Sequence, residues 1–478
     1  MWIGILVLPL YIKYLGAEAY GLIGFFTMLT SWMMLLDAGL TATLVREASR
    51  LRNKLKELKL TLRTIESMFL LISIIAVFIV YLAKDYLAMN WLDVKDLTIN
   101  EVSFSIFIMG VIIGLRFFST LYRGFINGFE HQIWINVFNI VLNTFKFVGG
   151  FIFVKYYSNE PTHFFEYQLF LAFVEVLVLN LKVYSLLLTN TKLVLPSKLV
   201  LRRVKSFTLN IVFLSFIGVA FTQADKLVLS ATMPLSEYGY FTLVVVISNA
   251  ILQFLQPIAQ AVSPRMVSLI ENKKELEMIE LYHKSTRLVS ILIFSIVGNI
   301  AVFSNELLFV WTGDHGIADK IYIALSLYVL GNGIMAVSSF QYMLQFAYGE
   351  LKYHVRYNVI FAFLGIPVMS AGAYYYGIIG AGISWVVIQV ISFVVWPTFV
   401  HNKFIPGEHT RWLFINVLPF IFASTFMYGI FYKFIDLSYL SRLEIFASLV
   451  IFGMITLGIN LLLVKEYRKN ILTKIKGF

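Results

Sequence analysis

The sequence predicts an all-α polytopic membrane protein of about fourteen transmembrane helices, and three observations carry that prediction. Of the 478 residues, 59% are hydrophobic and 14% charged, where soluble chains carry roughly 25% charged residues. The mean hydropathy is +0.81. Apolar runs of about 20 residues, the length that crosses a hydrocarbon core as a helix, recur along the whole chain with no soluble domain between them. The runs are continuous rather than alternating, which excludes a β-barrel with its strands of ~10 residues.

The first span, 1–15, reaches only roughly 22 Å at 1.5 Å per residue, short of a ~30 Å core. It has no basic leading region and no small-residue cleavage site, so it does not read as a signal peptide. The second, 19–45, opens on Tyr20-Gly21 and closes on Arg46. Spans 64–83 and 101–123 flank the longest outer loop, about residues 84–100. Span 134–157 carries a polar seam, and 164–188 completes a first set of six. Spans 206–232 and 238–264 follow, the latter opening on Tyr238-Gly239 and closing on Arg265. A second set of six ends with 287–311, 319–347, 356–376 and 378–400. Two more, 411–433 and 442–464, are appended.

If the first helix starts in the cytoplasm, 27 of the 38 lysines and arginines fall in cytoplasmic segments and 7 in outer ones. The positive-inside rule therefore predicts two cytoplasmic termini. The remaining four, Arg116, Lys146, Lys182 and Lys226, lie inside spans. The same distribution makes the net charge of +11 a matter of membrane orientation and argues against nucleic-acid binding.

Tyr20-Gly21 and Tyr238-Gly239 are separated by an offset of 218. "FINGFEHQIWIN" resembles "FAYGELKYHVRYN", with Gly128 on Gly349 and Asn136 on Asn358 at offsets of 221 and 222. A nearly constant offset over several elements predicts two pseudo-symmetric six-helix lobes, 1–190 and 206–400, joined by a basic cytoplasmic linker, 191–205, with two helices and a basic tail in 401–478. Repeats of this kind, related by an axis along the membrane normal, belong to transporters. Helix seven starts near Ser206, so its counterpart is expected about a dozen residues before Met1. That predicts either a natural start upstream of Met1 or a truncated first helix, which mass spectrometry of the native N-terminus tests.

On a helix, positions stepping by three and four share a face. Asn136, Asn139, Asn143 and Lys146 form one such stripe. Helix eight repeats it with Asn249, Gln253, Gln256 and Gln260, helix four with Arg116, Thr120 and Arg123. In helix seven Asp225 and Lys226 are adjacent and are expected to face apart. The amide stripes suit interhelical hydrogen bonds, worth about 0.6 kcal/mol each, as well as a cavity lining. An ammonium in mid-membrane costs at least ~2.5–3.5 kcal/mol, so Arg116 and Lys146 point to an inner cavity or to a partner among the acids Asp37, Glu166, Glu175 and Asp225. A cationic, amide-rich cavity suits phosphate oxygens and sugar hydroxyls, whereas organic cations call for carboxylates and aromatic faces. No Walker loop, HExxH or GxSxG is present, so no catalytic site is expected. The chain has no cysteine and its seven histidines are scattered. Neither a metal site nor a cofactor is expected. In the linker, Lys198, Arg202 and Lys205 share a face, as in an interfacial helix lying on anionic lipid.

"YLGAEAYGLIGFFTMLTSWMMLLDAGLTATLVRE" and "TQADKLVLSATMPLSEYGYF", the latter followed by "SPRMVSL", resemble the signatures of polysaccharide biosynthesis flippases. These O-antigen and exopolysaccharide flippases belong to the multidrug/oligosaccharidyl-lipid/polysaccharide exporter superfamily. The resemblance implies a V-shaped, MATE-like pair of lobes in the bacterial cytoplasmic membrane. By alternating access they would carry an undecaprenyl-diphosphate-linked oligosaccharide to the outer leaflet. Membrane lipids, the glycan polymerase and the chain-length regulator are the partners it implies. Asp37, Gly39 and Arg46 match the end of the second-helix motif, Asp225 the seventh-helix acid and Arg265 the base closing helix eight. Asp37, Asp225 and Arg265 thereby become candidates for ion coupling or gating. Arg46, Arg116, Arg123, Asn139, Asn143, Lys146, Lys226, Gln253, Gln256 and Gln260 are the candidate substrate-binding residues, most of them from the face argument. The short first helix departs from the family pattern and puts closure of the N-terminal lobe in doubt. A cation-coupled multidrug exporter of the same superfamily and a lipid II flippase are the alternatives. A membrane glycosyltransferase would want a larger outer loop or paired carboxylates at a membrane face.

Overall fold

The computed structural model describes residues 2–37, 40–51, 54–187, 197–466 and 468, and all of their side chains except 2, 3, 34, 36, 42, 43, 46 and 198–214. Among the described residues the secondary structure is helical. Among these residues ten helical stretches are long and apolar enough to cross a membrane, and one of them holds two expected spans. The chain divides into two compact units, Met1–Tyr240 and Phe241–Phe478.

Unit 1 contains α1 (Trp2–Leu15), α2 (Ala17–Met33), α3 (Leu40–Arg50), α4 (Leu55–Tyr86), α5 (Ile99–Gly128), α6 (Gln132–Thr144), α7 (Gly150–Tyr156), α8 (Pro161–Leu187), α9 (Lys198–Thr232) and the start of α10 (Leu235–Glu271). Helix α5 starts on a reciprocal cap: Thr98 accepts from the Glu101 N–H while Glu101 reaches back to the Thr98 N–H, satisfying donors that a helix start leaves open. The core joins α3, α4, α5 and α8 through Leu44, Leu62, Phe69, Phe125 and Val183. The opposite face of α4 exposes Leu70, Leu71, Ile74, Phe78 and Leu82, an apolar surface that only a lipid environment makes favourable.

The expected second span, 19–45, is broken. After α2 a tight turn covers Met34–Asp37, and Asp37 then accepts from the Thr41 N–H at 3.0 Å and the Thr41 hydroxyl at 2.6 Å. Its carboxylate supplies the cap that lets α3 begin anew. Gly39 lies outside the described residues. The basic linker is also different from expectation: from Lys198 onward it forms the first turns of α9 and continues unbroken into the seventh span, so it is no separate interfacial helix.

One end of unit 1 is tied together by backbone. The buried Glu18 carboxylate accepts three successive N–H groups, from Lys95, Asp96 and Leu97, at 2.6–2.7 Å. Leu235 N–H donates to Asp93 O at 2.9 Å, and Trp91 Nε1 donates to Ser230 Oγ at 3.1 Å. Here α2 and α10 cross in backbone contact: a methyl group on Gly21 would collide with the carbonyl of Leu235, and one on Gly239 with the carbonyl of Ala17. At an offset of 218, Leu235 is the equivalent of Ala17 and Gly239 of Gly21. The contact is therefore reciprocal, as in a two-fold interface, and it explains why glycine stands at both places.

Unit 2 continues with α11 (Glu275–Val302), α12 (Ser304–Thr312), α13 (His315–Ala347), α14 (Lys352–Phe404), α15 (His409–Arg411), α16 (Leu418–Phe434) and α17 (Arg442–Leu462). The 53 residues of α14 bend at Gly377, whose φ of 60° is a left-handed value that glycine adopts at low cost. This bend separates the spans expected at 356–376 and 378–400. The ninth span, 287–311, breaks at Phe303 between α11 and α12. There the Ser326 hydroxyl, from α13, lies 2.7 Å from the freed Ala301 carbonyl. Phe303, Tyr428, Phe431, Leu449 and Phe452 form a core under the appended α16 and α17.

Candidate functional site

Three helical segments of unit 1 each contribute two polar residues seven positions, or about two turns, apart: Arg116 and Arg123 from α5, Asn139 and Lys146 from the α6 segment, Gln168 and Glu175 from α8. That spacing brings all six to one buried place. Glu175 is 3% exposed. One carboxylate oxygen accepts from Arg123 Nη2 at 2.6 Å, with the Ser119 hydroxyl 3.2 Å away; the other accepts from Lys146 Nζ at 2.7 Å. Arg123 also donates to Asn139 Oδ1. Arg116 donates through Nη2 to Gln168 Oε1 at 3.2 Å and stands over the Phe26 ring, 5.2 Å from its centroid. Its Nε is buried and has no hydrogen-bond partner. Two cations thus pair with one carboxylate and a third, Arg116, stands beside them, a surplus of positive charge in a low-dielectric place.

Lys146 reaches the cluster because the helix widens around it. Phe145–Gly149 is a π-helical turn between α6 and α7, a local expansion often found at functional sites. Its carbonyls find side-chain donors: Tyr167 OH donates to Phe145 O at 2.9 Å, Gln168 Nε2 to Lys146 O at 3.0 Å and Tyr11 OH to Phe147 O at 2.7 Å. Gln168 therefore fixes both the turn and Arg116.

A second network holds α4, α5 and α8 together beside it. The buried Glu66 accepts from Tyr122 OH at 3.1 Å, Tyr184 OH at 3.0 Å and Arg63 Nη1 at 3.1 Å, while Asn180 donates to Tyr122 OH at 2.6 Å. Here one acid meets one base.

Of the residues singled out in the sequence, Arg116, Arg123, Asn139 and Lys146 come together, with Glu175 as their acid. Asn143 is half-buried one turn from Lys146, and Asn136 is exposed. Glu166 is exposed. Asp225 and Lys226 do not face apart: Lys226 Nζ folds back to Asp225 Oδ1 at 3.0 Å and to Thr222 O at 2.9 Å, because its four-carbon stem spans the angle between neighbours. Asp37 serves as the cap of α3. Gln253, Gln256, Gln260 and Arg265 are exposed on α10. Arg46 lies on α3, with its side chain outside the described part. Gln168, Ser119 and Glu66 were not singled out; the i, i+7 partner of Gln168, Glu175, is the signal that would have found it. Among the described residues there is no group of acids and histidines able to hold a metal.

Solved structures with the same fold include the lipid II flippase MurJ in an inward closed conformation, at a TM-score of 0.76 and 14% identity, covering 98% of this chain and 97% of that one. An inward-facing multidrug resistance MATE family transporter of the MOP superfamily gives 0.69 and 14% identity over 84% of this chain and 94% of that one. A MOP superfamily transporter from Pyrococcus furiosus, described as having a binding pocket of reverse polarity, gives 0.51 and 14% identity over 84% and 95%. No functionally curated protein shows a significant sequence match. The sequence profile of the family described as "Polysaccharide biosynthesis protein" matches residues 1–270, more than half of the chain. The chain is a member of the polysaccharide biosynthesis protein family.

Proposed function

We propose that the protein is a flippase that moves an undecaprenyl-diphosphate-linked oligosaccharide, an O-antigen or exopolysaccharide repeat unit, across the bacterial cytoplasmic membrane by alternating access. The observation that carries this reading is the cation surplus around Glu175, with an Arg116 donor left unfilled. A lipid-linked phosphate supplies the missing negative charge and accepts from Arg116 Nε. It competes with Glu175 for Arg123 and Lys146, so the carboxylate holds these cations while the site is empty. Charge-assisted hydrogen bonds of this type are about twice as strong as neutral ones. Asn139 and Asn143 offer amides beside the phosphate, and Gln253, Gln256 and Gln260, exposed on α10, are separate candidates for the sugars. Arg46 closes the family's second-helix motif and is a further candidate for binding substrate.

Binding drives the switch between states only through different affinity for them. A coupling ion at Asp37 or Asp225 has to displace Thr41 or Lys226, and proton or sodium ionophores that leave flux unchanged would eliminate that coupling. Family membership supports a lipid-linked glycan, as does the lipid II flippase among the structures of like fold. A multidrug exporter of organic cations fits less well, since its substrate would meet like charge.

The test is glycan display in a strain lacking its own O-antigen or exopolysaccharide flippase, complemented by the parent or by Arg116→Ala and Lys146→Ala at equal membrane levels. Rescue by the parent and loss in both variants is the expected result. Equal rescue by all three would make the cluster structural. Rescue of a strain depleted of its lipid II flippase, and not of this one, would reassign the glycan.

A further inference from the structure

Unit 2 gathers three of the scattered histidines into one buried network where α11, α13, α14 and the turn leading into α16 meet. His401 and Tyr282 are fully buried, and Tyr282 OH lies 2.7 Å from His401 Nε2. Gln341 Nε2 donates to Tyr282 OH at 3.1 Å, so the tyrosine's own proton is available for His401 Nε2. His401 then carries its hydrogen on Nδ1, which faces His409 Nδ1 at 3.0 Å. His409 must accept there and carry its hydrogen on Nε2, 3.2 Å from Thr398 Oγ1. The threonine passes its own to Val394 O at 2.8 Å. One direction of donation, from Gln341 through Tyr282, His401 and His409 to Thr398, uses every contact with both imidazoles neutral.

His283 is held differently. Arg287 Nε donates to Asn416 Oδ1 at 3.0 Å, which turns the Asn416 amide nitrogen onto His283 Nδ1 at 2.5 Å. His283 Nε2–H is left to donate to Glu408 at 2.9 Å. With a donor already on Nδ1, His283 has no place for a second proton. The charged groups around the histidine pair are Glu408, next to His409 in the chain, Arg411, 3.4 Å from Glu408, and Arg287. Lys403 is exposed and stands over the Tyr353 ring. Lys284 is taken by Glu280, and the α13 residues that enter the network are uncharged.

The structure assigns a proton-binding site to the His401–His409 pair. A proton taken up at His409 Nδ1 sets N–H against N–H across 3.0 Å, and the contact that ties the end of α14 to α15 is lost. Glu408, next to His409 in the chain, is held by His283 at 2.9 Å and by Arg411 at 3.4 Å, so no carboxylate neutralises the added charge and the contact has to open. The ligand is a proton, and its binding opens a clasp between α14 and the appended helices. This site stands apart from the cationic cluster and does not depend on the flippase reading.

The test uses the full chain in lipid nanodiscs, with histidine nitrogens labelled and observed by NMR between pH 8 and pH 3. His401→Gln and His409→Gln identify the two rings. At pH 8 His401 is expected as the Nδ1–H tautomer and His409 as the Nε2–H tautomer, and both signals are expected to change together as one proton is taken up. Two rings titrating independently, or the reverse tautomers, would overturn the assignment. The melting temperature gives a second readout that needs only one stable variant. Between pH 8 and pH 3 the parent is expected to lose about 2–4 °C more than His409→Gln, and equal losses would overturn the clasp.

Discussion

The two units bury their polar groups on opposite terms. In unit 1 Arg123 and Lys146 converge on Glu175, and Arg116 beside them keeps a buried donor without a partner. In unit 2 Tyr282, His401, His409 and Thr398 pass hydrogen bonds in one direction through neutral rings. A surplus of charge inside a membrane protein is costly until something of opposite sign arrives, whereas a neutral chain of hydrogen bonds is complete until a proton is added. The first arrangement therefore suits a site that waits for an anion, the second a contact that holds until it is acidified.

The comparison breaks most visibly at its acid. Glu175→Ala leaves Arg123 and Lys146 buried without a counter-charge, and a loss of about 3–5 kcal/mol is expected. Thermal unfolding in detergent should show it, with little folded protein recovered. Collision at the reciprocal glycine crossing is next: Gly21→Val and Gly239→Val should each cost about 1–3 kcal/mol, with similar falls in melting temperature. Tyr282→Phe removes the hydroxyl that orients His401 and should cost about 1–3 kcal/mol; the change should be confined to unit 2 and leave glycan display nearer to parental than Arg116→Ala does. Arg116→Gln sharpens the contrast from the other side, because it lowers the charge surplus. Stability should stay within about 0.5 kcal/mol of the parent or rise, while glycan display falls. Thr398→Val, at the end of the imidazole chain, should cost about 0.5–1.5 kcal/mol, the smaller of the two losses in unit 2.

Helix positions were legible because hydropathy over some 20 residues is a long-range average that tertiary contacts rarely overturn. Even the boundary at Gly377 could be read. The break in the second span could not, because residues 19–45 are almost uniformly apolar and its cause, Asp37 turning back to cap Thr41, is a local hydrogen bond. In the cluster, the Asn139–Lys146 seam and Arg116 with Arg123 were visible as helix faces. Gln168 was missed because its one same-face partner, Glu175, lies two turns away, too sparse a seam to stand out in an apolar helix. His283 and His401 lie 118 residues apart and became neighbours only through packing. Asp225 and Lys226 misled for a geometric reason: adjacent helix positions diverge at Cβ, yet a lysine stem is long enough to return.

The reciprocal crossing of Gly21 and Gly239 has a genetic consequence. Wherever a side chain touches only its own repeat, the two halves of a duplicated gene drift apart independently. At this crossing each half supplies the obstacle that the other must avoid, so a larger residue in either copy is punished by the backbone of its twin. The two codons inherit a shared constraint, and tolerance of alanine at one should depend on which residue occupies the other.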